Sequence, residues 1–335
     1  MDPLRSIALR RRSLLRLGLT AGTLLAGLGP LNRSVARPSQ GAGSPLPPPA
    51  PLKSGSRLRL INPGTWLEPD AGLELLQRRC AAEGWELEVP ASVYGQWRYF
   101  SGRDQERRDA LAAAWADPAI DGLVTLAGGW GSARVLEAGF RFPPRSKWTL
   151  GFSDTSALLL AQWSAGLTGG VHGTCGGSES QWTRTVDLLS GRPVGPLQGR
   201  GVRAGQARGP LVVTNLTVAT HLVGTPWFPD LRGAILVLED VGEAPYRVDR
   251  MLTQWRSAGL LQDLAGVACG RFSWAMDDIL PGDFTMEEIL VERLGDLGIP
   301  LVLGLPVGHG GPNQALPLGS SAWLDGSRGR LMLVQ

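Results

Sequence analysis

Cysteine is scarce in this 335-residue chain: Cys80, Cys175 and Cys269 are widely spaced, and no C-x-x-C pair occurs. That pattern spells out no zinc site and demands no disulfide, although one bridge is open to it. Histidine is equally scarce, with only His172, His221 and His309, so imidazole chemistry has three carriers at most. The apolar run near the start, Leu17 to Leu28, falls short of the roughly 20 residues that a membrane-spanning helix needs. No internal repeat is found. An excess of base is also missing from most of the chain. The formal charge is +3, but six arginines and one acid lie within residues 1–36, and the remainder holds 27 basic and 29 acidic residues. A nucleic-acid footprint is not supported.

What the chain does have is 43% hydrophobic and 19% charged residues, as in a globular protein, with 46 Gly and 25 Pro marking many turns. The length suits two domains, each able to bury its own core. Residues 1–36 read as a signal peptide. Arg11-Arg12-Ser13-Leu14-Leu15 has the twin-arginine signature, a weakly apolar core follows, and Ser34-Val35-Ala36 resembles a cleavage site. The expectation is an exported, periplasmic protein without a membrane span in its mature form. Residues 37–54, with Pro45-Leu46-Pro47-Pro48-Pro49-Ala50-Pro51, read as an extended linker.

Between residues 55 and 190, strand-like runs (Arg57 to Asn62, Trp85 to Val89, Asp121 to Leu126, Trp148 to Leu150) alternate with helical ones. Such alternation predicts a parallel sheet covered on both faces, hence an α/β class. Residues 191–209 lose apolar periodicity and read as an interdomain linker. Residues 210–335 carry a second α/β domain with strands at Gly233 to Leu238, Gly266 to Cys269, Pro300 to Leu303 and Arg330 to Val334.

Ligands of parallel sheets bind beyond the carboxyl ends of the strands. Two features stand there in the first domain: the run Ala127-Gly128-Gly129-Trp130-Gly131, and Ser153 at the strand-to-helix corner Gly151-Phe152-Ser153-Asp154. A serine at such a corner presents its hydroxyl with backbone N–H groups nearby, although Thr155 stands where a full G-x-S-x-G elbow has glycine, and Ser and Asp also serve as plain helix caps. In the second domain Glu239 ends a buried-looking strand, where a carboxylate needs a partner such as an imidazole N–H or Arg247 or Arg250. His309, between Gly308 and Gly310-Gly311, is the accessible imidazole and the best general base. His172 could line a pocket, and His221 reads as a partly buried helix residue. Ser153, Glu239 and His309 would form a Ser–His–Glu relay, with the N–H of Asp154 and one from the Gly128–Gly129 turn holding the oxyanion.

These stretches, with Leu238-Glu239-Asp240-Val241-Gly242-Glu243, Tyr246-Arg247-Val248-Asp249-Arg250-Met251-Leu252, and Gly304-Leu305-Pro306-Val307-Gly308-His309 followed by Asn313, resemble the LD-carboxypeptidase family over about residues 55–335. Microcin C self-immunity peptidases are among its relatives. The resemblance implies a metal-free, cofactor-free serine peptidase with an N-terminal nucleophile domain and a C-terminal domain supplying Glu and His. It also implies a site between the domains and a homodimer. It carries the nucleophile to Ser153, the acid to Glu239, the base to His309 and the oxyanion donors to Gly129 and Asp154. The type activity releases terminal D-alanine from murein tetrapeptides. Two departures stand out: Trp130 in place of the more usual Tyr, and the leader, since the typical enzyme recycles murein peptides in the cytoplasm.

The alternatives are a peptidase cleaving a microcin-C-like aminoacyl-nucleotide amide, or an exported solute-binding protein without turnover. A dinucleotide enzyme is disfavoured because Arg134 stands where the third glycine of a phosphate loop would be. Trp130, Arg134, Trp182 and Arg247 are the substrate-binding candidates, Trp182 as an aromatic platform and the arginines as readers of a carboxylate.

Overall fold

The structure, a computed structural model, describes residues 45–68, 72–274 and 282–334. The leader at residues 1–36 lies outside the described residues, as do residues 37–44 of the expected linker.

Five short strands come first: β1 (Arg57–Leu60), β2 (Glu86–Glu88), β3 (Gly122–Val124), β4 (Trp148–Gly151) and β5 (Gly170–His172). All pair in parallel, in the order β5-β4-β3-β1-β2. Helices α1 (Leu73–Ala82), α2 (Asp104–Ala116), α3 (Ser132–Glu137), α4 (Ser156–Ser164) and α5 (Glu179–Leu189) make the connections or follow the last strand. The α/β class and the parallel N-terminal sheet are as the alternation of strand and helix signals predicts. β3 and β4 are buried throughout, which is why they read as apolar runs without alternation.

The second sheet takes β6 (Leu197–Gln198), β7 (Arg200–Arg203), β8 (Gln206–Asn215), β9 (Ile235–Val241), β10 (Gly266–Ser273) and β11 (Leu301–Leu303). Next in sequence, β12 (Leu316–Pro317) returns to the first sheet and pairs antiparallel with β5. Finally β13 (Ser321–Asp325) and β14 (Arg330–Leu333) complete an eight-stranded order β6-β14-β13-β8-β9-β10-β11-β7. Strands β8 to β11 are its parallel core, and the outer pairings are antiparallel. β6 and β7 occupy opposite edges of this order yet are separated by Gly199 alone, so the sheet curls until its edges meet. Helices α6 (Leu216–Leu222), α7 (Pro245–Ser257) and α8 (Met286–Leu294) pack around it.

Two expectations are corrected. Residues 197–209 are not a free linker but form β6, β7 and the first part of β8. Their glycines admit close backbone approach: a Cβ on Gly201 or Gly209 would strike the carbonyl oxygens of Gly326 and Gly233. Being mostly exposed edge strands, they lack the apolar alternation that would reveal them. The described part of the proline-rich segment is extended, as expected, but docked rather than free. Leu52 is buried, Leu46 N donates to Gly166 O at 2.8 Å, and Trp148 Nε1 donates to Ala50 O at 2.8 Å. All three cysteines are buried free thiols, and burial pushes Cys80 and Cys269 up to about 12. Among the described residues no helix is long and apolar enough to cross a membrane.

Candidate active site

The site starts from a backbone that most side chains would refuse. After β4 the chain turns at Phe152, and Ser153 sits at φ +58°, one of only two non-glycine residues with positive φ among those described. A β-carbon is disfavoured there, so the conformation must be held by its surroundings. A short 3-10 turn over Ser153–Thr155 then leads into α4. The glycine run after β3 lies directly against this corner. A Cβ added to Gly128 would be 2.7 Å from Ser153 Cβ and 2.8 Å from its Oγ, and 3.4 Å from Asp154 N. Gly129 follows at φ +80°. The glycines are what let one backbone approach the serine hydroxyl.

Asp154 anchors that run. Its buried carboxylate accepts from Ser132 N at 2.9 Å, Ser132 Oγ at 2.7 Å and Gly131 N at 3.2 Å, at the start of α3. Burial pushes its carboxyl up, against the opposing pull of those donors and of Arg107. Arg107, on α2, completes the frame. Its buried guanidinium donates to Pro63 O, to Gly131 O at 2.9 Å and to Gly102 O at 3.1 Å, and pairs with Asp104. It thereby ties the loop after β1 to the glycine run. The sequence reading missed this residue, because an arginine in an Arg/Asp-rich helix looks like part of a solvated face.

Glu239 lies near the end of β9 and is fully buried. Its Oε2 is 2.7 Å from His309 Nδ1 and accepts from His309 N at 3.1 Å, while Oε1 accepts from Asn215 Nδ2 at 3.2 Å. A carboxylate can only accept, so Nδ1 carries the proton and Nε2 is left as the acceptor. Burial works to raise the Glu239 carboxyl, but the His309 hydrogen bond, with help from His172 and Asn215, outweighs it and holds the group below the ordinary carboxylate range. Gly308, at φ +108°, brings the His309 loop close: a Cβ there would lie 2.7 Å from Glu239 Oε2. Asn313 Oδ1 accepts from Gly308 N at 2.9 Å, and the Arg271 guanidinium donates to Gly310 O. The His309 ring, 18% exposed, is 4.8 Å centroid to centroid from Phe152, the neighbour of Ser153. Asp240 faces the other way and caps α6 through Thr217 N and Oγ1.

The serine corner and its glycine cover come from the first sheet and the carboxylate–imidazole pair from the second, and the two meet through Phe152, the neighbour of Ser153, whose ring packs against that of His309. The substrate-binding candidates fare differently. Trp130 is 37% exposed, and its ring stands edge-on to His221 at 5.9 Å. His221 is thus exposed, not partly buried as expected. Arg134 is engaged, with Nε donating to Asp104 Oδ2 at 3.0 Å and its guanidinium over the Phe100 ring. Arg247 is held at the surface by Glu243 and by the Tyr246 hydroxyl. Trp182 is a correction: it is no loop platform but a buried residue of α5, packed edge-on against Trp85 with Arg79 over its ring. Among the described residues no group of three His, Cys, Asp or Glu side chains is gathered as a metal site.

Comparison with known proteins finds matches to both halves of the chain. The model of the LD-carboxypeptidase N-terminal domain matches residues 59–173, and that of the LD-carboxypeptidase C-terminal domain matches residues 208–324. A provisionally named carboxypeptidase of Synechocystis sp. is 44% identical over 293 residues, covering 85% of this chain and 97% of that protein. The murein tetrapeptide carboxypeptidase of Pseudomonas aeruginosa is 30% identical over 292 residues, covering 81% and 94%. A microcin C7 self-immunity protein shares the two-domain α/β fold with a TM-score of 0.75 at 19% identity, over 86% of this chain and 98% of that one.

Proposed function

The chain belongs to the LD-carboxypeptidase family, and we propose that it is a serine carboxypeptidase releasing terminal D-alanine from murein tetrapeptides. In this reading Ser153 Oγ attacks the carbonyl carbon of the scissile L-to-D amide while His309 Nε2 takes the hydroxyl proton. Glu239 fixes the imidazole tautomer through Nδ1 and stabilises the imidazolium. The tetrahedral oxyanion is held by the N–H groups of Gly129 and Asp154. His309 then returns the proton to the amine of the departing D-alanine as the C–N bond breaks, and water, activated by the same imidazole, hydrolyses the acyl-enzyme.

The observation that carries the reading is the 2.7 Å contact between a buried strand-end carboxylate and an imidazole that packs beside the positive-φ serine corner. The name of the Pseudomonas aeruginosa relative supports the murein substrate. The aminoacyl-nucleotide alternative has lost its candidate base platform, since Trp182 is buried. The proposal extends to an exported enzyme, acting as a homodimer, that trims peptide stems at the wall. This rests on the twin-arginine pattern at Arg11-Arg12 and on the family resemblance.

The deciding experiment incubates murein tetra- and tripeptides with the protein and with Ser153→Ala, and reads the products by mass spectrometry. Loss of one D-alanine from the tetrapeptide, seen only with the unaltered protein, is the expected result. Equal turnover in both removes this nucleophile. Binding without turnover in both favours a solute receptor.

A further inference from the structure

Glu239 has two histidines beside it, and the relay uses one. The other, His172, closes β5 with no measurable exposure, and its Nε2 lies 3.9 Å from Glu239 Oε1. Neither ring nitrogen of His172 has a hydrogen-bond partner among the described residues. Its place is fixed by backbone on both sides: it registers with Gly151 of β4, two residues before Ser153, and with Leu316 of β12. Phe152 separates the two imidazoles, with its ring 6.0 Å from that of His172 and 4.8 Å from that of His309.

We propose that His172 is a positioning residue for the relay. From the far side of Glu239 it turns a neutral N–H dipole on Oε1, sharing that oxygen with Asn215, so that Oε2 is presented to His309. The proposal rests on the Ser153–His309–Glu239 reading. Packing alone does not account for an imidazole here, because a phenyl ring fills similar space without two buried polar nitrogens to desolvate. Charge state matters as much as place. Burial lowers the His172 imidazole to about 4, with Glu239 pulling it up and His309 pushing it down. It is therefore neutral where a general-base imidazole works. A permanent cation at the same distance would compensate the Glu239 charge and make His309 a poorer base. A neutral dipole steadies the carboxylate and leaves most of its field to His309. Among the described residues, the other charged groups around His309 are Glu239 from β9 and Arg271 from β10, whose guanidinium packs on the Gly310–Gly311 turn. Asp240 is turned toward Thr217 and Asn215.

The test uses the whole chain, unaltered and as His172→Phe and His172→Gln, with His172→Leu in reserve should the Phe variant not fold. The first readout is the pH titration of the His309 ring carbon–proton resonance by NMR, which needs no substrate. With the N–H removed, Oε1 is less satisfied, the carboxylate draws the His309 proton harder, and the midpoint moves up by about 0.5 in pH or more. The Gln variant, which keeps an N–H, stays nearer to the original. The second readout is turnover of the murein tetrapeptide: kcat falls about tenfold with KM within about twofold. An unmoved His309 midpoint in a folded Phe or Leu variant overturns the proposal, even if kcat falls. A shifted midpoint in a protein that turns over no murein peptide supports the positioning and refutes the peptidase reading instead.

Discussion

Glu239 and His309 are joined twice: one carboxylate oxygen, Oε2, lies 2.7 Å from the ring Nδ1 of His309 and 3.1 Å from its backbone N. The second contact fixes the main chain of the His309 loop, so the ring has little freedom to leave. The carboxylate is thus both the orienter of the imidazole and the clamp of the loop that carries it. Replacing Glu239 by Gln should keep the loop folded, since the amide oxygen can still accept one of the two donors. It should lower kcat by about 10³- to 10⁴-fold by losing the tautomer and the charge opposite the imidazolium. Steady-state kinetics on a murein tetrapeptide measure the loss. A KM effect without a kcat effect would place Glu239 outside the chemistry.

The same carboxylate gives a pH signature in stability. Its folded-state pKa lies below the ordinary 4.5, the direction expected of an acid held by partners. Such a group adds stability that is fully present above the unfolded value and is lost as pH falls through the folded one. Denaturant unfolding of the unaltered chain and of Glu239→Gln should therefore differ most near neutrality. The two curves should draw together below about pH 4.5. Curves that stay parallel throughout the acid range would show that Glu239 contributes no such linkage.

Gly128 faces Ser153 with no room for a methyl group, since an added Cβ would lie 2.8 Å from Oγ. Gly128→Ala should push the serine or the glycine run out of place while leaving both sheets intact. Losing one oxyanion donor typically costs about 10²- to 10³-fold in kcat, and a loss of that order is expected here. Circular dichroism should be nearly unchanged. Activity within about threefold of the unaltered enzyme would mean that the run is not part of the oxyanion site.

Arg107 shows where the sequence ceases to be informative. Ser153, Glu239 and His309 stood out as candidates because each lies at or beyond the carboxyl end of a short apolar strand, close to a glycine or a helix start. Arg107 carries no such mark. Its acceptors, Pro63 O and Gly131 O, belong to segments 44 and 24 residues away, and only folding brings them together. The edge strands β6 and β7 escaped for a related reason: exposed and glycine-rich, they are specified by backbone pairing, which side-chain periodicity does not record. Trp182 could have been placed. Ser178 and Gln181 form a capping box, and the S-x-x-Q pattern marks a helix start that puts Trp182 in the first turn. Arg107→Met should confirm the frame by calorimetry, with a loss of at least about 2 kcal/mol because three backbone carbonyls lose their donor. A smaller loss would assign the tie to Thr65, which also touches the run through Gly128 O and Trp130 N.

The two tryptophans once paired as substrate contacts should now part ways. Trp182 is 4% exposed, packed with Trp85 at 6.0 Å and beneath the Arg79 guanidinium at 5.3 Å, so its side chain meets only protein. Truncating it to Ala should cost about 3–5 kcal/mol of stability, as for other buried aromatics, while KM of the folded fraction stays put. Trp130 is 37% exposed and follows Gly129 directly, with His221 of α6 as its one aromatic neighbour among the described residues. Trp130→Ala should leave the melting temperature within a few degrees, since about 1 kcal/mol shifts a chain of this size by only about 2–4 °C. Its effect should fall on KM, which should rise several-fold if the ring meets the substrate beside the oxyanion donors. A double variant, Trp130→Ala with His221→Ala, distinguishes direct contact from mutual support. If the ring serves mainly to brace α6 against the glycine run, the second change adds nothing to the first. If both rings line the substrate path, the two KM effects multiply.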